Sequence, residues 1–285
     1  MSTRPLSPRA VASFRKTVWV HYKKHGRALP WRPPELALLP DGAAREPYAV
    51  LVSEIMLQQT QVARVIPKYK LFMGRFPSVY ALARAPLRDV LEVWSGLGYN
   101  RRAKFLHELA KTVVKKYRGH IPQDEKDLRT LPGIGAATAA SFAAFAFNHP
   151  AIFIETNIRS VFIHHFFKNR NAVRDKDIIP LVRQTVDAAN PREWYYALMD
   201  YGVMLKETHP NPSRKSAHHA KQSPFKGSRR EIRGKILALL VHSKRASTGD
   251  IRKSLKCSAA LARSILKDLE SEGFIKKRRS VISVR

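Results

Sequence analysis

The stretch Leu131-Pro132-Gly133-Ile134-Gly135 constrains the fold more than any other part of this 285-residue chain. It joins two helical patterns, Asp124 to Leu131 and the apolar run Ala136 to Phe147, through a turn rich in glycine and proline. Glycines at such a turn let the backbone come close to another group. A helix start with free amides is a ready phosphate site that needs no side chain. On that reading Pro132, Gly133, Ile134, Gly135 and Ala136 face a nucleic-acid backbone. On the other, the turn only packs one helix against the next. Comparable loops serve polymerases, ligases and nucleases, so the feature predicts DNA binding and leaves the chemistry open.

Charge agrees with that prediction. The chain carries 52 Lys and Arg against 22 Asp and Glu, a formal net charge of +30. Such an excess draws the protein to a polyanion in a salt-sensitive way, without separating DNA from RNA or an acidic membrane. A single cysteine, Cys257, excludes an internal disulfide and an iron–sulfur cluster held by four thiolates of one chain. His164-His165 and His218-His219 lack partners at ligand spacing, so neither a metal nor a cofactor is expected. The most apolar run, Ala136 to Phe147, is too short to span a bilayer, and no membrane partner is expected. Met1 to Arg9 has no apolar core, so no signal peptide is visible and a cytoplasmic, chromosome-associated monomer is the expectation.

The pattern along the chain is helical almost throughout. Helices are expected over Arg9–Lys24, within Tyr48–Phe76 with breaks before Pro67 and Pro77, from Pro86 to Trp94, and over Ala103–Tyr117. Two more are expected over Ile178–Ala189 and Glu193–Leu205. Arg32 to Pro47 reads as a proline-rich loop, and Lys206 to Ser228 as a basic linker or irregular loop. Beyond it Arg230–Val241, a helix capped by Thr248, and a third capped by Ser258 and closed at Gly273 lead into a short hairpin. Lys276, Lys277, Arg278 and Arg279 are expected at its tip. That order resembles a winged helix-turn-helix, whose third helix, with Arg263 and Lys267 one turn apart, would enter a DNA groove. Residues 229–285 hold sixteen Lys and Arg against five acids, which favours DNA over a packing role.

Two carboxylates supply the chemistry. Glu54 interrupts the apolar run Val50 to Leu57 and precedes Gln58-Gln59-Thr60-Gln61. Burial among Val52, Ile55 and Met56 would raise its pKa and keep it protonated, as a general acid requires. Glu155 lies in Ile154-Glu155-Thr156-Asn157, just before a helix. Near a phosphate-binding loop, such a pair suits cleavage of a glycosidic bond on a nucleic acid. One carboxyl protonates the departing base and the other stabilises the sugar cation. The structural alternatives are a Glu on the wet face of a helix and an N-terminal carboxylate favoured by the helix dipole.

Taken together, Leu29-Pro30-Trp31, Ser53 to Val62, Gly96-Leu97-Gly98-Tyr99, Leu131 to Gly135 and Met199-Asp200-Tyr201-Gly202 carry a resemblance. Residues 27–206 resemble the helix-hairpin-helix DNA glycosylase superfamily and, within it, the adenine DNA glycosylases (MutY family). The resemblance implies an all-α, two-lobed glycosylase core over 1–212. Its central lobe would cover about 48–156, and its second lobe 1–47 with 157–212. A basic linker, 213–228, and the winged helix-turn-helix-like unit, 229–285, would follow.

The resemblance also implies roles. It places the proton donor at Glu54 and the second catalytic carboxylate at Glu155, where the family normally has aspartate. Gln58, Gln59 and Tyr99 match positions that wedge into the duplex when a base is flipped out. The structural alternatives are polar helix surface for the glutamines and core packing for Tyr99. Apart from the resemblance, Arg101, Arg102 and Lys104 are cations that could grip backbone beside them. Trp31 reads as core. Ala137 stands where the strand-cleaving branch has a Schiff-base lysine, so a monofunctional enzyme is expected. The four cysteines common in the family after Leu205 are replaced here by Lys206-Glu207-Thr208-His209-Pro210. Lys206, Arg214, Lys215 and Lys221 are basic residues that could contact DNA in their place. The C-terminal unit does not resemble the 8-oxoguanine-reading domain of adenine glycosylases.

The reading is a base-excision DNA glycosylase acting on duplex DNA with a mispaired or damaged base, adenine first. Alternatives are a glycosylase for uracil, mismatched thymine or a deaminated purine, and a non-catalytic DNA-binding regulatory protein.

Overall fold

A computed structural model describes residues 5–32, 47–220 and 222–285. The loop expected over Arg32–Pro47 and the cation Lys221 lie largely or wholly outside the described residues. The described chain is helical apart from one two-stranded pair, and it divides into two compact units.

The first unit draws on Met1–Glu54, Pro122–Thr130 and Ile134–Lys221. It holds α1 (Pro8–His25), most of α2 (Pro47–Leu57), α7 (Glu125–Leu128) and α8 (Ala136–Phe147). α9 (Thr156–Phe166), α10 (Asp175–Thr185) and α11 (Pro191–Thr208) complete its helices. Ser7 caps α1 by accepting from the Ala10 amide, and Asp124 caps α7 in the same way. α11 packs against α9, α1 and α8. Phe14 meets Phe162 and Trp194 there, with ring centroids 5.4 and 6.0 Å apart. α8 is buried continuously from Ala139 to Phe147, because its alanines let neighbours approach closely. Each fully buried large apolar side chain contributes about 2 kcal/mol.

Gly202 explains one of the sequence motifs. A Cβ there would lie 2.5 Å from the Asn157 carbonyl oxygen, so only glycine lets α11 approach the start of α9 this closely. After α11 the chain is irregular yet pinned. A 3₁₀ turn, Pro212–Lys215, packs on α9, and Val173 exchanges backbone hydrogen bonds with Lys215 and Ala217, both 2.9 Å.

The second unit comprises Ile55–Ile121, Leu131–Gly133 and Gln222–Arg285. Its helices are α3 (Val62–Arg75), α4 (Val79–Arg84), α5 (Leu87–Trp94) and α6 (Arg101–Tyr117), then α12 (Arg229–Ser243), α13 (Thr248–Leu255) and α14 (Ala259–Ser271). The strands β1 (Ile275–Arg278) and β2 (Val281–Val284) pair antiparallel, Ile275 opposite Val284. α4 and α5 pack on α6, and α12 packs on α5, so the C-terminal helices share a unit with residues 55–121.

Several local expectations are corrected. Pro67 lies inside α3 rather than at its start. It forfeits only the one bond to the carbonyl four residues back, and the real break falls between Leu57 and Val62. Ser247, not Thr248, caps α13, in a capping box with Asp250. The hairpin turns at Arg279 and Ser280, with Arg279 left-handed at φ 52, so Lys276, Lys277 and Arg278 stand on β1 rather than at the tip. α10 begins three residues earlier than expected and α11 two, Pro191 serving as first residue of α11.

Candidate active site

Glu54 sits near the C-terminal end of α2, with Leu51, Val52, Ile55 and Met56 all buried around it. A helix apolar on every side has no wet face, and that disposes of the solvent-facing alternative for Glu54. The carboxyl is half-buried, and Ser141 on α8 donates its hydroxyl to Oε2 at 2.6 Å. Burial pushes Glu54 up to about 7, the Ser141 hydrogen bond pulls it down, the Glu155 charge raises it and Arg32 lowers it.

Glu155 is solvated differently. It is the N-cap of α9, and Oε1 accepts from the Asn157 and Ile158 amides at 2.6 and 2.8 Å. Oε2 accepts from the Asn157 side-chain amide at 3.1 Å. Lys206 on α11 donates to Asn157 Oδ1 at 2.6 Å and brings its positive charge beside the carboxylate. Burial outweighs the rest and holds Glu155 above the usual carboxylate range, while the Ile158 amide, Lys206, the Asn157 amide and Arg159 pull it back down. Burial in turn lowers Lys206, and Glu155 raises it. Lys206, which reads in sequence as a DNA contact, is thus part of the carboxylate site. The close approach at Gly202 puts it there.

The two carboxyls therefore differ in kind. Glu155 has three donors on its oxygens, which suits an ion. Glu54 has one among the described residues, which suits a proton carrier. A buried pair supports the site from the side. Asp200 accepts from the Arg27 amide at 2.9 Å and Nε at 2.8 Å, and from Arg32 Nη1 at 3.0 Å. The Arg32 guanidinium stacks 3.9 Å from the centre of the Tyr196 ring. Trp31 is buried core, as expected.

In the hairpin loop, Gly133 has φ +79, and a Cβ there would come 2.8 Å from Phe105 Cβ. Gly135 caps α8 without a side chain, and Gly135, Ala136 and Ala137 are exposed. Their amides have no intrahelical acceptor. Ile134 is buried, so it offers a ligand only its backbone, and Pro132 is half-buried without an N–H. Ala137 stands exposed on the first turn of α8.

Within the second unit, Gln59 and Tyr99 are both left-handed, at φ 52 and 48, and both are exposed. Backbone strain of this kind concentrates at functional positions. Gln222 bridges them, donating to Tyr99 Oη at 2.8 Å and to Gln59 Oε1 at 3.3 Å. Gln58 beside them is half-buried. Arg102 has its guanidinium engaged inside the protein. Its buried guanidinium donates to the carbonyls of Ile55, Met56 and Gln58 at 2.8, 2.9 and 2.5 Å and ties off the end of α2. Arg101 is exposed but paired with Glu272 through two 2.7 Å bonds, so a phosphate would have to displace that carboxylate. Lys104 is likewise paired, with Glu108. Arg263 and Lys267 are exposed on α14, and Lys276, Lys277, Arg278 and Arg279 are exposed on the hairpin.

Sequence reasoning missed Ser141 and Gln222. Ser141 is the single polar residue between Ala139 and Phe147, a signal that was there to read. Gln222 sits in an irregular segment and carries no such signal. Among the described residues, no group of His, Cys, Asp or Glu could hold a metal ion.

Comparison with known proteins agrees with this geometry. The model of the HhH-GPD superfamily base excision DNA repair proteins matches residues 52–179. The adenine DNA glycosylase of Buchnera aphidicola subsp. Baizongia pistaciae is 36% identical over 197 residues, 67% of this chain and 52% of that protein. The adenine DNA glycosylase of Mus musculus is 35% identical over 245 residues, 80% of this chain and 44% of that protein. The chain thus spans about half the length of the curated relatives it matches. The structure of a thermostable thymine-DNA glycosylase superposes with a TM-score of 0.58 at 26% identity, covering 68% of this chain and 86% of that one. The hairpin, the paired carboxyls and these likenesses converge: the chain belongs to the HhH-GPD superfamily of base-excision DNA repair proteins and is similar within it to the adenine DNA glycosylases.

Proposed function

We propose that this chain is a monofunctional DNA glycosylase that hydrolyses the N-glycosidic bond of a flipped base in duplex DNA, adenine being the preferred base. The observation that carries the proposal is the difference in hydrogen bonding at two buried carboxyls: among the described residues one donor, Ser141, reaches Glu54, whereas three reach Glu155. Glu54 gives its proton to the base as the bond from C1′ to the base nitrogen breaks and the bonding electrons leave with the base. The sugar cation that remains is stabilised by the Glu155 carboxylate, which its amide donors hold in place. Water then adds to C1′, and its proton passes to Glu155. A purine gains most from protonation, and retention of an acid at Glu54 therefore favours adenine.

Ala137 offers no amine, so C1′ has no lysine nucleophile there and the strand stays intact. Duplex DNA is the partner, held by the α8 amides, the Gln58, Gln59 and Tyr99 wedge and the C-terminal cations, and the protein works as a monomer on the chromosome. No helix among the described residues is long and apolar enough to cross a membrane.

A second reading, mismatched thymine or uracil as the released base, is favoured by the likeness to a thymine-DNA glycosylase. A panel of single-lesion duplexes, heated in alkali to reveal abasic sites, ranks these bases. Adenine release without direct strand cleavage supports the proposal. Exclusive thymine or uracil release selects the second reading, and no release of any base refutes both.

A further inference from the structure

The Ser141 hydroxyl reaches Glu54 from the middle of an otherwise apolar helix. Ser141 is 7% exposed, so its polar atom is desolvated and must be satisfied inside the protein. Two acceptors lie in reach: Glu54 Oε2 at 2.6 Å and the Thr138 carbonyl, one turn back, at 3.2 Å. A hydroxyl has a single proton, so it serves one acceptor at a time. The shorter contact, to a carboxylate oxygen, is the stronger.

We propose that Ser141 is a positioning residue for base release: by holding Oε2 of Glu54 it leaves the transferable proton on Oε1 and steadies the carboxylate that remains once that proton has gone. The inference rests on the glycosylase reading of Glu54 and assigns how that acid is tuned. As the proton leaves Oε1 for the base, negative charge spreads over the carboxylate. The Ser141 bond then changes from a neutral to a charge-assisted one, a stabilisation larger after transfer than before it. Without the hydroxyl, burial alone would make Glu54 too weak an acid to give up its proton readily. The other charged groups facing Glu54 are Glu155 at the head of α9, which opposes its ionisation, and Arg32, which favours it. Lys206 acts on Glu155 and Asp200 binds Arg32, so neither substitutes for the hydroxyl.

The test is Ser141→Ala, a change that suits an alanine-rich helix, read two ways in the full chain. Carbon-13 NMR of labelled glutamate carboxyls, with Glu54→Gln assigning the Glu54 signal, follows its titration without any need for turnover. The Glu54 midpoint should move to higher pH in Ser141→Ala, and Ser141→Thr, which restores a hydroxyl, should bring it back. Single-turnover base release should fall roughly tenfold on its acid plateau, and its alkaline limb should move upward in parallel. A Glu54 midpoint unmoved or lowered in Ser141→Ala overturns the proposal, whatever the rates do. Absence of base release by the parent protein overturns the glycosylase reading instead, and leaves the NMR titration to judge the hydrogen bond.

Discussion

Replacing Glu54 by glutamine should make the folded protein more stable at neutral and alkaline pH while removing its proposed activity. The magnitude follows from the burial that raises Glu54 from an ordinary 4.5 to about 7. Below about pH 4.5 the carboxyl is neutral in both folded and unfolded chains, and no penalty exists. As pH rises from there to about 7, the unfolded chain gives up its proton while the folded one keeps it, so stability falls. Above 7 the folded protein carries a desolvated charge at a full cost of about 3 kcal/mol. Glutamine keeps the shape and can still accept from Ser141, yet has nothing to ionise. Urea unfolding of the parent and Glu54→Gln, each at several pH values, isolates the effect, because all other carboxyls are common to both. The variant's advantage should grow by about 3 kcal/mol between acid and about pH 8.5. An advantage that stays flat across that range would refute the burial argument for Glu54.

Two further outcomes are expected. Arg102→Ala should destabilise the protein by about 3 kcal/mol in the same urea assay, since it leaves the carbonyls at the end of α2 without a donor and opens a buried site; a change below about 1 kcal/mol would return Arg102 to a surface role. Neutralising Arg263, Lys267, Lys276 and Lys277 together should weaken DNA binding and flatten its salt dependence, by about one unit of slope for each phosphate left without its cation, with the ranking of lesions unchanged. An unaltered salt slope would make the C-terminal helices a packing module, and an altered ranking would make them a reader of the opposite strand. Substitution is the cleaner test than truncation, because α12 packs on α5.

Much of this is legible in the sequence, for physical reasons that can be named. The hairpin, the helical periodicity and the buried setting of Glu54 are local properties, written in spacing and composition. Ser258 announces its cap for the same reason. Thr248 misleads because Ser247 beside it has the same capping chemistry. Pro67 misleads because one missing hydrogen bond near the start of α3 costs less than the burial of Val65, Tyr69 and Phe72 returns. Arg102 reads as a DNA contact because a surface cation and a buried carbonyl clamp look alike in sequence; only the return of the chain after Ile55 to meet α6 separates them. Lys206 and Gln222 depend on contacts made across long sequence separations, which no periodicity encodes.

The central claim is that Glu54 donates the proton that releases a base. Its most direct test is single-turnover base release from a duplex holding one mispaired adenine, followed from acid to alkaline pH in the parent and in Glu54→Gln. The parent should release adenine at a rate that falls as pH rises through about 7, where Glu54 loses its proton, and leave the strand uncut until alkali is added. Glu54→Gln should bind the same duplex with little change and release no base on that timescale. Release by the variant at the parent's rate, or a parent rate indifferent to pH across that range, would contradict the account.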